Sequence, residues 1–266
     1  MGRQKGLVHL SGQYGDVQLY ISADGEPLAR FVTPVRGKKI KKDANYALTR
    51  KNNDEFTGSA FAAHSLRMCM GERVRQFADR QLTPRLMAAT HAVLMQGPGM
   101  AGQRTLEVGP NAGTFRRIEA SKVESLTGRL MAPFTVTANT DRNTATLDVP
   151  GFNTDNFLRR PQGATHFRLL LVAGVLSDFV YTGDNAVYAP LNPDINARTM
   201  VTESLVLPAV GAVNAPLQLV AAVPGLPVLP SSACLMVSVG IEFLRVVNNF
   251  EEVMASGNAL RVVDVF

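Results

Sequence analysis

The sequence predicts an α+β protein in which an N-terminal β-hairpin and helices are followed by an antiparallel, Ig-like β-sandwich. Apolar residues recur at helical spacing through residues 43–95, whereas from residue 134 onward they alternate with polar residues. Turn signals separate the later segments at a spacing that suits about seven or eight strands. We therefore divide the chain into a hairpin arm with a basic linker (1–42), a helical region with a glycine-rich connector (43–130) and a sandwich (131–266).

The N-terminal arm is predicted to be a hairpin that buries too little apolar surface to stay folded alone. Residues 17–21 alternate apolar and polar side chains, Asp24 and Gly25 form a tight-turn pair, and residues 28–32 supply the returning strand. A single hairpin is only marginally stable in water. We expect it to pack on the C-terminal body, on a neighbouring subunit or on another partner. The C-terminus is predicted to be a strand at a sheet edge that can pair with a partner. The predicted subunit contacts are Val17, Leu19, Tyr20, Leu28, Phe31 and Phe266.

A run of basic residues follows the hairpin and is predicted to be a linker. Its cations are Arg36, Lys38, Lys39, Lys41 and Lys42. Three interpretations remain open: a solvated charge run, a contact with nucleic acid or another polyanion, and a contact with an acidic neighbouring subunit.

Charge is distributed unevenly along the chain. Residues 1–51 carry a net charge of +6, residues 52–130 carry +3, and residues 131–266 carry −4. The last lysine is Lys122. A basic arm joined to an acidic body suggests either a polyanion partner or head-to-tail association of identical copies.

Several helix boundaries follow from local signals. Asp43 is a suitable N-cap for a helix over residues 44–51, Gly71 interrupts the helical pattern, and Pro84 favours a helix start. We predict one helix capped by Asp43, a second opened by Asp54 or Thr57, and a third that runs from Thr83 and Pro84 to Gln96.

The motifs of the sequence favour a protein that is not an enzyme. None of the four histidines has a metal-ligand spacing, and the sequence has no nucleophile elbow of the Gly-x-Ser-x-Gly type. We therefore expect no catalytic residues, no metal and no cofactor. A dispersed site that involves His166 and Asp178 is the alternative. Cys69 and Cys234 lie in apolar stretches and are expected to be buried, reduced thiols.

We expect no membrane partner and no small-molecule substrate. No apolar run reaches the roughly 18 residues of a membrane span, and no signal-peptide core follows the N-terminus. The expected location is the cytoplasm, or a particle that is assembled there.

The opening segment resembles a family of uncharacterised Bacteroidetes proteins. The similar residues are the Gly-x-x-Gly-Asp-x-x-x-Tyr pattern from Gly12 to Tyr20, the turn at Asp24, and a Thr-Arg-x-Asn segment that begins at Thr49. The resemblance covers the first 60 residues best, and residues 164–167 resemble part of the family's C-terminal β region. It implies an architecture of hairpin, helices and sandwich, with no activity to transfer and no catalytic residues.

Two functional hypotheses follow. The first is a self-assembling structural subunit of a filament, tube, shell or phage-like particle, held together by the arm and by β-edge contacts between copies. The second is a module that binds nucleic acid or another polyanion through residues 36–51.

Overall fold

A computed structural model describes residues 2–4, 9–32, 37–183, 188–226, 228–248 and 250–266, with only the backbone of Lys38. The chain divides into two compact units, Met1–Arg50 and Lys51–Phe266. Among the described helices, none combines the length and the apolar character needed to cross a bilayer.

The described residues of the first unit form a small antiparallel sheet followed by a short helix. Its elements are β1 (Gly2–Arg3), β2 (Gly12–Tyr14), β3 (Val17–Ile21), β4 (Pro27–Phe31), α1 (Gly37–Lys42) and a 3₁₀ turn (Ala44–Tyr46). The strand order is β1-β4-β3-β2. The predicted hairpin is therefore present as β3 and β4, and two further short strands extend it.

The first long helix, α2 (Ala47–Cys69), follows the cap that the sequence predicts. The Asp43 carboxylate accepts a hydrogen bond from the Asn45 N–H at 3.0 Å. The predicted second start at Asp54 or Thr57 is wrong, because α2 continues through both residues. The Thr57 hydroxyl instead donates to the Asn53 carbonyl at 2.8 Å, within the same helix.

The other helices of the chain are shorter. They are α3 (Val74–Phe77), α4 (Leu82–Gln96), a 3₁₀ turn (Gly109–Asn111), α5 (Ala112–Phe115), α6 (Leu126–Arg129) and α7 (Thr154–Phe157). The predicted helix at Thr83 to Gln96 is confirmed as α4, with Pro84 in its first turn. Gly71 follows α2 in the left-handed region, with φ of 92°.

Antiparallel strands make up the rest of the second unit. They are β5 (Thr135–Ala138), β6 (Thr144–Val149), β7 (Phe152–Asn153), β8 (His166–Ser177), β9 (Phe179–Tyr181), β10 (Tyr188–Pro190), β11 (Thr199–Glu203), β12 (Leu207–Pro208), β13 (Ala212–Val213), β14 (Leu217–Ala222), β15 (Ala233–Val247), β16 (Phe250–Val253) and β17 (Ala259–Val265).

Two long strands, β8 and β15, form the centre of the second unit. They pair from Ser177 opposite Ala233 to His166 opposite Leu244. The central sheet runs β11-β8-β15-β16, with β12 paired to β8 and β17 paired to β15, and a smaller sheet runs β14-β6-β5.

Each face of the central sheet has its own apolar core. Leu169 and Val237 share one core with Leu147 of the smaller sheet. Leu170 of β8 lies in the other core, together with Leu66 of α2. The second unit therefore has three layers: helices, central sheet and smaller sheet.

The predicted α+β class is confirmed by this mixture of helices and antiparallel sheets. An Ig-like sandwich is not confirmed, and no sheet closes in the described part of the chain. Residues 51–130 and 131–266 belong to one compact unit, in which helices of the former cover a face of the central sheet, and residues 43–50 belong to the other unit.

Candidate assembly surface

One face of the small N-terminal sheet is entirely apolar. In an antiparallel pair, residues directly opposite each other point to the same face. The register places Val17 opposite Phe31 and Leu19 opposite Ala29. We call this surface the arm face, and its side chains are Tyr14, Val17, Leu19, Ile21, Pro27, Ala29 and Phe31.

Several side chains of the arm face are largely exposed. Phe31 is 82% exposed, Ile21 is 55% exposed and Tyr14 is 54% exposed. None of the described residues between 2 and 50 is buried. A sheet with one apolar face normally packs that face on a core, so this unit presents a surface suited to a partner.

The opposite face of the same sheet is polar and internally bonded. Arg30 donates two hydrogen bonds to the Gln18 side-chain oxygen, at 3.0 and 2.7 Å. Its guanidinium carbon also lies 5.5 Å from the centre of the Tyr20 ring, a cation–π geometry. This face already satisfies its polar groups.

The predicted contact residues therefore divide between two faces. Val17, Leu19 and Phe31 lie on the arm face, whereas Tyr20 and Leu28 lie on the polar face. Strict counting by two from Val17 would have replaced Tyr20 with Ile21. Tyr14 joins the arm face only through its pairing with Val17 in β2.

Phe266 does not belong to the candidate surface, and the C-terminal strand offers no free edge. Phe266 exchanges two backbone hydrogen bonds with Leu235, at 2.9 and 3.0 Å, and its side chain packs on the core. Strand β17 pairs with β15 on one side. On the other side, the Arg117 N–H donates to the Val262 carbonyl at 2.8 Å.

The described part of the basic segment forms the short helix α1. The side chains of Lys39, Lys41 and Lys42 are exposed and form no ion pair with any described residue. Arg36 and the side chain of Lys38 lie outside the described residues. Arg50 donates to the carbonyls of Ile40 and Asp43, at 2.7 and 2.8 Å, which ties the end of α1 to the start of the next helix.

The two units differ sharply in charge. Met1–Arg50 contains nine basic and four acidic residues, so it carries a net charge of +5. Lys51–Phe266 contains 18 of each and is neutral overall. The whole net charge of the protein therefore lies in the unit that carries the arm face.

The second unit carries an exposed acidic hairpin. We define it as the paired ends of β15 and β16, Leu244–Val247 and Phe250–Val253. Phe250 is 80% exposed and Val247 opposite it is 54% exposed, while Glu251 and Glu252 are both exposed. Neither glutamate forms an ion pair with a described residue. The hairpin carries these two glutamates against one arginine, Arg245, so it is net negative beside apolar side chains.

The alternative catalytic pair is not brought together. His166 is the first residue of β8 and Asp178 directly follows its last, so they lie roughly 40 Å apart along the strand. The His166 ring nitrogen Nδ1 lies 2.9 Å from the Thr165 hydroxyl. The Asp178 carboxylate accepts a hydrogen bond from the Val108 N–H at 2.7 Å. Each residue has a local structural partner.

Asp178 gives a prediction about pH. Burial raises the pKa of its carboxyl above 3.8, partly opposed by the Val108 N–H and assisted by the nearby Glu107 charge. The folded state therefore binds this proton more readily than the unfolded state, so the stability contribution present at low pH is lost as pH rises through the folded pKa. We expect Asp178→Asn to gain stability relative to the parent protein between about pH 4 and about pH 7. Urea unfolding at both values measures this, and an unchanged or falling difference contradicts it.

Two buried carboxylates were not predicted from the sequence. Glu242, with a fully buried side chain, is paired with Arg168 at 2.7 Å and with Arg73 at 3.3 Å. Glu55 accepts hydrogen bonds from Arg104 at 3.0 Å and from the Gly102 N–H at 2.8 Å. Because each carboxylate is satisfied by arginine, both act as internal anchors of the fold.

The described residues bring together one serine and one histidine, and they contain two free cysteines. The Ser59 hydroxyl lies 3.1 Å from a ring nitrogen of His91, but Ser59 is fully buried. Cys69 and Cys234 are buried free thiols, as predicted, and burial raises the pKa of Cys234 to about 11. Within the described residues, no group of three or more His, Cys, Asp or Glu side chains is arranged to hold a metal ion.

No family model matches the chain, and neither a curated protein nor a solved structure is significantly similar to it. The resemblance to the Bacteroidetes family therefore stays a prediction.

Proposed function

We propose that this protein is a self-assembling structural subunit whose arm face packs on the arm face of a second copy. The observation that carries the proposal is the exposure of Phe31, Ile21 and Tyr14 together on one side of a sheet. Three such side chains expose roughly 300 Å² or more, the size at which an apolar patch on a monomer is often functional. Two apolar sheet faces are chemically complementary to each other and pack about 10 Å apart.

The face supports the proposal better than the sheet edges do. The edge strands β1 and β2 have only two and three residues. Short edges limit the extension of a sheet by another chain. In the second unit, β5 and β16 end their sheets and are candidates for the β-edge contacts between copies. The assembled form is proposed to be a filament, tube, shell or phage-like particle, formed in the cytoplasm.

A second candidate function rests on the basic helix α1. Its exposed lysines belong to the unit that carries the net charge of +5, which favours binding of nucleic acid or another polyanion. Such binding is expected to weaken steeply with salt, because each neutralised phosphate releases a counterion. The absence of affinity for RNA and DNA at about 50 mM salt would remove this candidate.

The experiment that tests the proposal is sedimentation of the full chain over a wide range of protein concentration, followed by negative-stain imaging. We expect species heavier than the 28.7 kDa monomer, with a population that grows with concentration. A single species of 28.7 kDa at every concentration would overturn the proposal.

A further inference from the structure

The arm face alone is too small for a stable interface. Its longest strand has five residues and the sheet has four strands, so each face covers roughly 300 Å². Two copies in contact would bury roughly 600 Å² in total, whereas stable interfaces bury about 1,600 Å². If the proposed function holds, assembly needs a second contact.

We propose that helix α1 of one copy binds the acidic hairpin of the next copy. The helix supplies the exposed ammonium groups of Lys39, Lys41 and Lys42. The hairpin supplies the exposed carboxylates of Glu251 and Glu252. Charge complementarity selects this occupant, because α1 belongs to the unit with a net charge of +5 and the hairpin carries two exposed glutamates.

Glu251 is the stronger of the two hairpin partners. Adjacent residues in a strand point to opposite faces, so each face of the hairpin carries one carboxylate. Glu252 is opposite Arg245, which partly compensates its charge. Glu251 is opposite Val246 and has no such neighbour. On the face of Glu252, the exposed Phe250 and Val247 add an apolar contact beside the charges.

This contact joins two different surfaces, so it is a head-to-tail contact. Such contacts generate rings when the rotation closes and filaments when it does not. The pairing of arm faces, in contrast, uses the same surface on both copies and stops at a dimer. Together they would extend dimers into a larger assembly, which is the behaviour of a structural subunit.

Reversal of the charges tests the inference. At about 50 mM salt, we expect Glu251→Lys with Glu252→Lys to weaken assembly beyond the dimer by about tenfold or more. Lys39→Glu, Lys41→Glu and Lys42→Glu should have a similar effect. All five substitutions in one chain should restore assembly, because the reversed helix then meets a reversed hairpin. Sedimentation velocity measures each variant.

A matched control has the same change in net charge at another place. Asp155→Lys with Asp194→Lys alters two exposed carboxylates outside the hairpin and should leave assembly within about twofold of the parent protein. Circular dichroism of each variant verifies that it is folded.

Three outcomes would overturn the inference. One is normal assembly of the Glu251 and Glu252 variant, and another is failure of the five-substitution variant to recover. The third is that the lysine variant loses binding to a 20-nucleotide RNA while assembly is unchanged, which would assign α1 to a polyanion. If the arm-face substitution Phe31→Asp still prevents pairing in these cases, the proposed function stands and only this second contact fails.

Discussion

Phe31→Asp is expected to raise the dissociation constant for self-association by about 100-fold or more. Phe31 is 82% exposed in the single chain, so in the proposed assembly its ring is buried by the second copy. Loss of that burial costs about 2–3 kcal/mol, and the aspartate must also be desolvated against an apolar face. Because the contact is symmetric, each dimer contains the substitution twice and loses this free energy at both positions. Sedimentation equilibrium measures the dissociation constant.

The matched control for this prediction is Gln13→Asp. Gln13 is exposed on β2, lies opposite Gln18 on the polar face, and undergoes the same change in charge. We expect this variant to associate like the parent protein. Equal weakening by both substitutions would mean that net charge governs association and that the arm face is not the contact surface.

Gly174→Ala is expected to lower the free energy of unfolding by about 3 kcal/mol. Gly174 lies on β8, and a Cβ atom there would lie 2.6 Å from the Cα atom of Cys69 and against its carbonyl oxygen. Because these atoms belong to the backbone at the end of α2, no side-chain rotation relieves the clash. The helix must move away from the central sheet. Urea unfolding followed by circular dichroism measures the loss.

Gly113→Ala is the control for this effect. A Cβ atom at Gly113 meets nothing within 4 Å, so alanine there should leave stability unchanged or slightly raise it. Equal stability of the Gly174 and Gly113 variants would contradict the close packing of α2 on β8 and, with it, the three-layer arrangement of the second unit.

Local features of the fold could be predicted from the sequence. The turn at Asp24 and Gly25, the cap at Asp43 and the helix that ends at Gln96 each depend on residues within a few positions of one another. Turns and helix ends are determined mainly by neighbouring residues, so the sequence pattern alone predicts them. The continuous helix through Thr57 was missed because its hydroxyl bonds within the helix instead of capping one.

Features that depend on distant residues could not be predicted. The pairing of Arg73 with Glu242 joins residues 169 positions apart. The sequence indicated that β8 is mostly buried, but not that helices cover one of its faces and a second sheet the other. Alternation along β3 already separates Tyr20 from Val17 and Leu19. The faces of Leu28 and Phe31 relative to β3 follow from the register of β4, which a single strand does not specify.

The central claim is that a neighbouring copy covers the arm face, and one spectroscopic measurement tests it directly. The chain contains no tryptophan, so Phe31→Trp introduces a single fluorescent reporter on the arm face, and Gln13→Trp introduces one on the polar face. We expect the emission of the first reporter to shift to shorter wavelength as protein concentration rises, while that of the second stays in its water-exposed position. Emission from Trp at both positions that stays water-exposed at every concentration would contradict the account.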